Sequence, residues 1–266
     1  MRTLFFILTT IIIDVALAFV PPPNNAAALS LGGASSTYFN AFAIENNTAV
    51  LAFTNNEISL NAGNRFGLSE YSQAMLAGNI KSKLATIGFA YRISPFSDFT
   101  EQKAQLAVAK KLRNNVSAGV SVNYHRFTST NAYYQNTALL TMNAGLYYQI
   151  NKKLNAGFSL FNPNRTLIQK RSGERLAAQY RLGIDYTLAQ NITLFSDFLQ
   201  ASEQQPDLNV GLELNKEKYK MRGGFGLNQL VALGFGWQSK ALQLDVAASY
   251  HNRLGFSPSL NVAYAF

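Results

Sequence analysis

The chain has 266 residues, of which only 14% are charged, whereas soluble domains average about 25%; a soluble enzyme of this size is a poor fit. A mean hydropathy of -0.02 is too low for a bundle of membrane-spanning helices, each of which needs about 20 predominantly apolar residues. The absence of cysteine excludes disulfides, thiolate metal sites and cysteine nucleophiles, and the formal charge of +9 raises nucleic acid as a partner until the placement of the charges is known.

Residues 1–18, MRTLFFILTTIIIDVALA, combine Arg2, an apolar core from Leu4 to Ile13 and a small-x-small site at Ala16-Leu17-Ala18. This is the pattern of a secretory signal peptide cut after Ala18, with a core too short to span a bilayer; Asp14 departs from it. Export removes nucleic acid from the expected partners.

Residues 19–56 do not alternate. After Pro21-Pro22-Pro23 comes Ala28-Leu29-Ser30-Leu31-Gly32-Gly33-Ala34-Ser35, and Asn46-Asn47-Thr48-Ala49-Val50-Leu51-Ala52-Phe53 reads as a short helix. The segment is expected either to enter a lumen as a plug, in space left by Gly224, Gly226, Gly234 and Gly236, or to form a periplasmic leader.

From Glu57 onward apolar residues recur at every second position. Val116, Ala118, Val120, Val122 and Tyr124 interleave with Ser117, Gly119, Ser121 and Asn123, and Leu260, Val262, Tyr264 and Phe266 interleave with Ser259, Asn261, Ala263 and Ala265. The apolar faces often end in an aromatic residue (Tyr91, Tyr148, Tyr186, Trp237, Tyr250, Tyr264), as a membrane-interface girdle requires. The opposite faces hold Gly, Ser, Asn and Thr, which suits a lumen. Strands are expected at 57–67, 72–80, 84–93, 103–111, 116–127, 137–150, 154–161, 175–188, 191–200, 206–214, 218–227, 229–238, 241–250 and 256–266. That makes 14, or 12 if the least regular runs are dropped. Unpaired edges are not tolerated in hydrocarbon, so the sheet must close. The expected fold is all-β, a transmembrane antiparallel barrel over 57–266 in contact with outer-membrane lipids.

With the N-terminus in the periplasm, alternate turns fall on the periplasmic side, near 81–83, 110–115, 151–153, 189–191, 215–218 and 239–241. They gather Lys81, Lys83, Lys110, Lys111, Arg113, Lys152, Lys153, Lys216, Lys218 and Lys240, with Glu217 as the only acid. Such a basic rim reads either as a dock for an acidic periplasmic or outer-membrane protein partner or anionic headgroups, or as lysines that merely blunt self-association. Longer opposite loops are expected at 94–102, 128–136 and 162–174, the last with the turn cluster Asn162-Pro163-Asn164-Arg165.

Strand parity turns Arg92, Arg181, Asp185, Glu213, Lys220, Arg222 and Asp245 into the lumen, with Glu213 and Arg222 in reach of one another. Charges there must be hydrated or paired, so they read either as a selective constriction or as ion pairs filling a closed lumen. No catalytic constellation is expected. The two histidines, His125 and His251, lie within six residues of Ser129 and Ser257 with no pattern around them, and neither a metal cluster nor a phosphate-cradling loop is present, so no cofactor is expected.

The Gly-Gly-Ala at 32–34 followed by Asn46-Asn47-Thr48-Ala49-Val50-Leu51-Ala52 and then alternating strands resembles the N-terminus of PorV/PorQ-type outer-membrane barrels of Bacteroidota, relatives of the FadL-type fatty-acid transporters. Asn209-Val210-Gly211-Leu212-Glu213, Met221-Arg222-Gly223-Gly224-Phe225-Gly226, Leu244-Asp245-Val246-Ala247 and Leu254-Gly255 are similar to that family's closing strands. The resemblance implies an accessory role beside type IX secretion machinery, or else passage of small hydrophobic solutes; a structural barrel with a closed lumen is the third reading.

Overall fold

The computed structural model describes residues 25–130, 136–168, 173–227 and 230–266. The expected signal peptide, and parts of the expected loops at 128–136 and 162–174, lie outside the described residues. Fourteen strands form one closed antiparallel barrel. They are β1 Glu57–Asn64, β2 Ser72–Lys81, β3 Thr86–Phe96, β4 Phe99–Arg113, β5 Val116–Ser129, β6 Thr137–Gln149, β7 Leu154–Phe161, β8 Gln179–Ala189, β9 Ile192–Ala201, β10 Asp207–Lys216, β11 Tyr219–Gly226, β12 Leu230–Gln238, β13 Leu242–His251 and β14 Gly255–Ala265. Each pairs with its sequence neighbours, and β1 closes on β14 through pairs such as Leu60↔Val262. Closure leaves no edge, which is why strands can cross a bilayer.

Alternation decides which side each residue faces. The outward series is apolar and bare, with Leu106 and Leu233 each 68% exposed, a surface that only acyl chains satisfy. The inward series is polar and buried, as in Ser117, Ser121, Asn123 and His125 of β5.

One expectation is corrected. Residues 94–102 are not a long loop: β3 and β4 pair up to Phe96↔Phe99, and a two-residue turn joins them with Ser97 at φ 50. Pro95 and Ser97 suggest a loop in sequence, but Pro95 occupies the rim end of the strand, where proline is tolerated.

Residues 25–56 lie inside the strand ring. They form α1 (Ala26–Ser30), α2 (Ala43–Asn46) and a 3₁₀ turn (Thr48–Ala52). Asn25 caps α1 by accepting from the Ala28 amide at 3.0 Å, the arrangement that makes asparagine a favoured N-cap. The barrel accommodates this segment because inward positions that face it are glycine. A Cβ on Gly119 would lie 2.7 Å from the Ala49 backbone, and one on Gly211 would lie 2.7 Å from Leu31. Gly32 adds a backbone demand to the close approach, with φ +68 and its would-be Cβ 2.6 Å from the Phe225 backbone. Gly32→Val combines a strained φ, costing on the order of 1–3 kcal/mol, with a backbone clash. The expected result is a segment released near Gly32 and cleaved there by added protease while the barrel stays intact on an unboiled gel.

Candidate functional site

The lumen is crossed by three polar clusters, each joining the N-terminal segment to the wall. In the first, Glu45 of α2 accepts from Arg92 of β3 at 3.2 Å and from Lys103 of β4 at 3.0 Å. Arg92 also pairs with Glu101 at 3.3 Å, and all four side chains are largely or wholly withdrawn from solvent. In the second, Arg222 of β11 donates through Nε to Glu213 of β10 at 2.7 Å, through Nη1 to Asp245 of β13 at 2.8 Å and through Nη2 to the Tyr38 hydroxyl at 2.8 Å. Tyr38 in turn donates to Glu213 at 3.0 Å. Asn261 and Gln243 donate to the other Asp245 oxygen, so that carboxylate is compensated on all sides, as a buried charge requires.

The third cluster holds the segment by its backbone. Asp197 of β9 accepts from the amides of Ser35 and Ser36 at 2.8 and 3.0 Å and from the Ser36 hydroxyl at 2.7 Å. Hydrogen bonds to a charged acceptor contribute about 1.5–3 kcal/mol each. Arg181 stands behind it, 3.7 Å from the carboxylate, and donates to the Ser35 hydroxyl. Further wall contacts come from β5, β6 and β7: Ser117 donates to the Ala49 carbonyl, Asn47 to the Leu146 carbonyl and Ser159 to the Asn46 carbonyl.

Of the charges placed inward by parity, Arg92, Asp185, Glu213, Arg222 and Asp245 are buried, and Arg181 and Lys220 are half-buried. Glu213 and Arg222 are register partners, with Asp245 added to them. Asp185 stands apart, held by Asn155 at 2.8 Å, and Lys220 lies within electrostatic range of Glu57. Sequence reasoning missed Glu45, Tyr38, Glu101, Lys103 and Asp197, and it singled out His125 only for its nearness to Ser129. Extending the inward series Lys103, Gln105, Ala107 back by one step would have found Glu101.

His125 donates to or accepts from Glu101 at 3.0 Å through Nδ1 and Thr141 at 3.1 Å through Nε2. Hydroxyl, imidazole and carboxylate in that order match a nucleophile, its base and an orienting acid. Here the Thr141 oxygen is also bound by the Asn123 amide at 3.0 Å, and Thr141 and His125 are each 2% exposed. The adjoining cleft, lined by Arg92, Glu101, Lys103, His125, Phe161 and Gln179, has about 20 Å³ of room, space for a single water. The group is joined to the first cluster through Glu101, which Arg92 and His125 share. The Ser257 hydroxyl accepts from the Phe66 amide, and the Ser129 backbone amide donates to the Asn136 side chain.

The basic rim lies at the end where the chain enters β1 and leaves β14. All ten cations, Lys81, Lys83, Lys110, Lys111, Arg113, Lys152, Lys153, Lys216, Lys218 and Lys240, are exposed there. Their ten charges against Glu217 equal the net +9 of the whole chain, whose 23 basic and 14 acidic residues therefore balance everywhere else.

Solved structures with this architecture include a Pseudomonas aeruginosa FadL homologue, at TM-score 0.66 and 11% identity over 94% of this chain and 100% of that one. The Pseudomonas putida toluene transporter TodX matches at TM-score 0.74 and 10% identity over 91% and 98% of the two chains. At such identities the likeness is one of fold, that of FadL-like outer-membrane barrels. No curated protein matches the sequence. The model of the type IX secretion system membrane protein PorP/SprF family matches residues 43–261, from the start of α2 to within β14. The match is to PorP/SprF, where the glycine-rich residues resemble the PorV/PorQ type; the common ground is a type IX secretion barrel. With most of its length under that match, the chain belongs to the type IX secretion system membrane protein PorP/SprF family.

Proposed function

We propose that the chain is an accessory subunit of an outer-membrane protein export complex, working as a plugged barrel and not as a conduit. In this reading the signal peptide is cleaved after Ala18, the barrel sits in the outer membrane of a Gram-negative bacterium, and the basic rim faces the periplasm. The supporting observation is the filling of the lumen. Residues 25–56 are tied to opposite walls through Glu45, Tyr38, Ser35 and Ser36. Two clefts among the described residues, one beside Glu45 and one beside His125, have only about 10 and 20 Å³ of room, enough for water and too little for a solute. The inward charges Arg92, Arg181, Glu213, Arg222 and Asp245 then act as clamps on the plug. The resemblance to PorV/PorQ-type barrels points to the same secretion setting.

A FadL-like channel for small hydrophobic solutes is the competing reading, favoured by the barrel fold shared with TodX. Planar bilayers decide between them. The full-length protein is expected to show no discrete conductance and no solute-dependent uptake into liposomes, and to purify from native membranes with a larger partner in fixed stoichiometry. Steady open-channel currents from a protein that purifies alone would overturn the proposal.

A further inference from the structure

The rim cations are unevenly spread. Lys81, Lys83, Lys110, Lys111, Arg113 and the Lys152-Lys153 pair stand on the arc from β2 to β7, and the turns of that arc, residues 81–86, 110–116 and 149–154, contain no acid. The remaining cations, Lys216, Lys218 and Lys240, share the other arc with Glu217. Two members of the first group point over the mouth of the barrel. Lys111 continues the inward series Lys103, Gln105, Ala107, Ala109, and its ammonium lies 4.3 Å from the centroid of the Phe53 ring. Lys81 continues the series Met75, Ala77, Asn79 and is within electrostatic range of Lys111.

Beneath these lysines lies an aromatic floor. Tyr147, two residues from the rim end of β6, packs on Phe53 at 5.1 Å and on Phe39 at 5.6 Å between ring centroids. Phe39 is 46% exposed, while every other large apolar side chain of residues 25–56 is buried or half-buried. Nothing within the fold requires a bare phenyl ring at this spot. An arc of cations beside an exposed aromatic is matched by a polypeptide whose carboxylates meet the lysines and whose apolar side chain covers Phe39. Lipid headgroups fit less well, because Phe39, Lys81 and Lys111 lie inside the strand ring and lipid lies outside it.

We infer that the β2–β7 arc of the basic rim, together with Phe39, docks an acidic segment of a protein partner seated by an aromatic or aliphatic side chain. The inference rests on the accessory-subunit reading and names the chemistry of the partner. The test uses the full-length protein in non-ionic detergent and a fluorescein-labelled peptide of interspersed Asp, Glu and Phe residues, followed by anisotropy at low and physiological salt. The triple variant Lys81→Gln/Lys111→Gln/Arg113→Gln is expected to weaken binding about tenfold or more, since close charge pairs dominate such contacts. Lys216→Gln/Lys218→Gln/Lys240→Gln removes the same charge from the other arc and is expected to cost less than about threefold, the part carried by long-range attraction alone. Phe39→Ala is expected to cost about fivefold, an anchor's share, and replacing Phe by Ala in the peptide should produce a similar loss.

Equal losses from the two triple variants, or none from either, would overturn the docking site. So would phosphatidylglycerol nanodiscs that displace the peptide from the wild type, because headgroups would then be the occupant. Heat-modifiable migration on a gel confirms that each variant is a folded barrel. A protein that conducts and purifies alone yet binds the peptide as described would sink the accessory reading and leave the docking site standing.

Discussion

Arg222→Met is expected to be the most destabilising single substitution in the barrel wall. The guanidinium is wholly buried and holds Glu213, Asp245 and Tyr38 at 2.7–2.8 Å. Methionine fills most of the volume but removes the only cation between two carboxylates, one of which, Asp245, has no exposed surface at all. Breaking a buried pair from one side leaves the other charge uncompensated and costs about 3–5 kcal/mol. The measurement is the urea midpoint of unfolding in detergent, read by the mobility difference between folded and unfolded barrel on an unboiled gel. A control separates charge from packing. Adding Glu213→Leu and Asp245→Leu to Arg222→Met removes the stranded carboxylates, and replacing a whole buried ionic group by apolar side chains is often neutral. The triple variant is therefore expected to recover much of the loss, with a remainder because Asn261 and Gln243 lose their acceptor. A midpoint unchanged by Arg222→Met would show that the cluster contributes nothing to the fold.

Why this cluster was legible while the one around Glu45 was not follows from the physics of strands. In β10, β11 and β13 one face is greasy and the other polar, so period 2 alone assigns Glu213, Arg222 and Asp245 to the lumen. In β9 the outward Leu194 and Phe198 alternate with the inward Phe195 and Leu199. Both faces are apolar there, and alternation has no contrast from which to place Asp197. The inner face is apolar because it packs on Tyr38, whose ring centroid is 5.6 Å from that of Phe195. Glu101 is hidden for another reason: Pro95, Ser97 and Asp98 make the hairpin look like a loop, which leaves Glu101 outside a strand that begins at 103. Residues 25–56 carry no usable period, since their contacts are set by the wall around them. The glycines that admit them were visible, but a glycine records that something comes close without naming what does.

Glu45→Lys is expected to open the barrel. Glu45 is the only acid of α2, and it lies between Arg92 and Lys103, which are register partners on β3 and β4. Lysine there sets a third cation against these two in a site shut off from water, where like charges repel far more strongly than at a surface. Glu101 and His125 cannot absorb the added charge, because Glu101 is already shared between Arg92 and His125. Moving α2 away from the wall is the least costly relief. It draws the 3₁₀ turn from its seat on β5, where Ser117 holds Ala49 and a Cβ would not fit on Gly119. Discrete conductance steps in planar bilayers are the expected readout, against the silence expected of the wild type. The double variant Glu45→Lys/Lys103→Glu reverses the pair in place and is expected to restore silence, an outcome that general loosening of the barrel would not produce. If the single variant stays closed, the segment is held by its backbone contacts to Asp197 and β5, and the ion pairs serve only to neutralise one another.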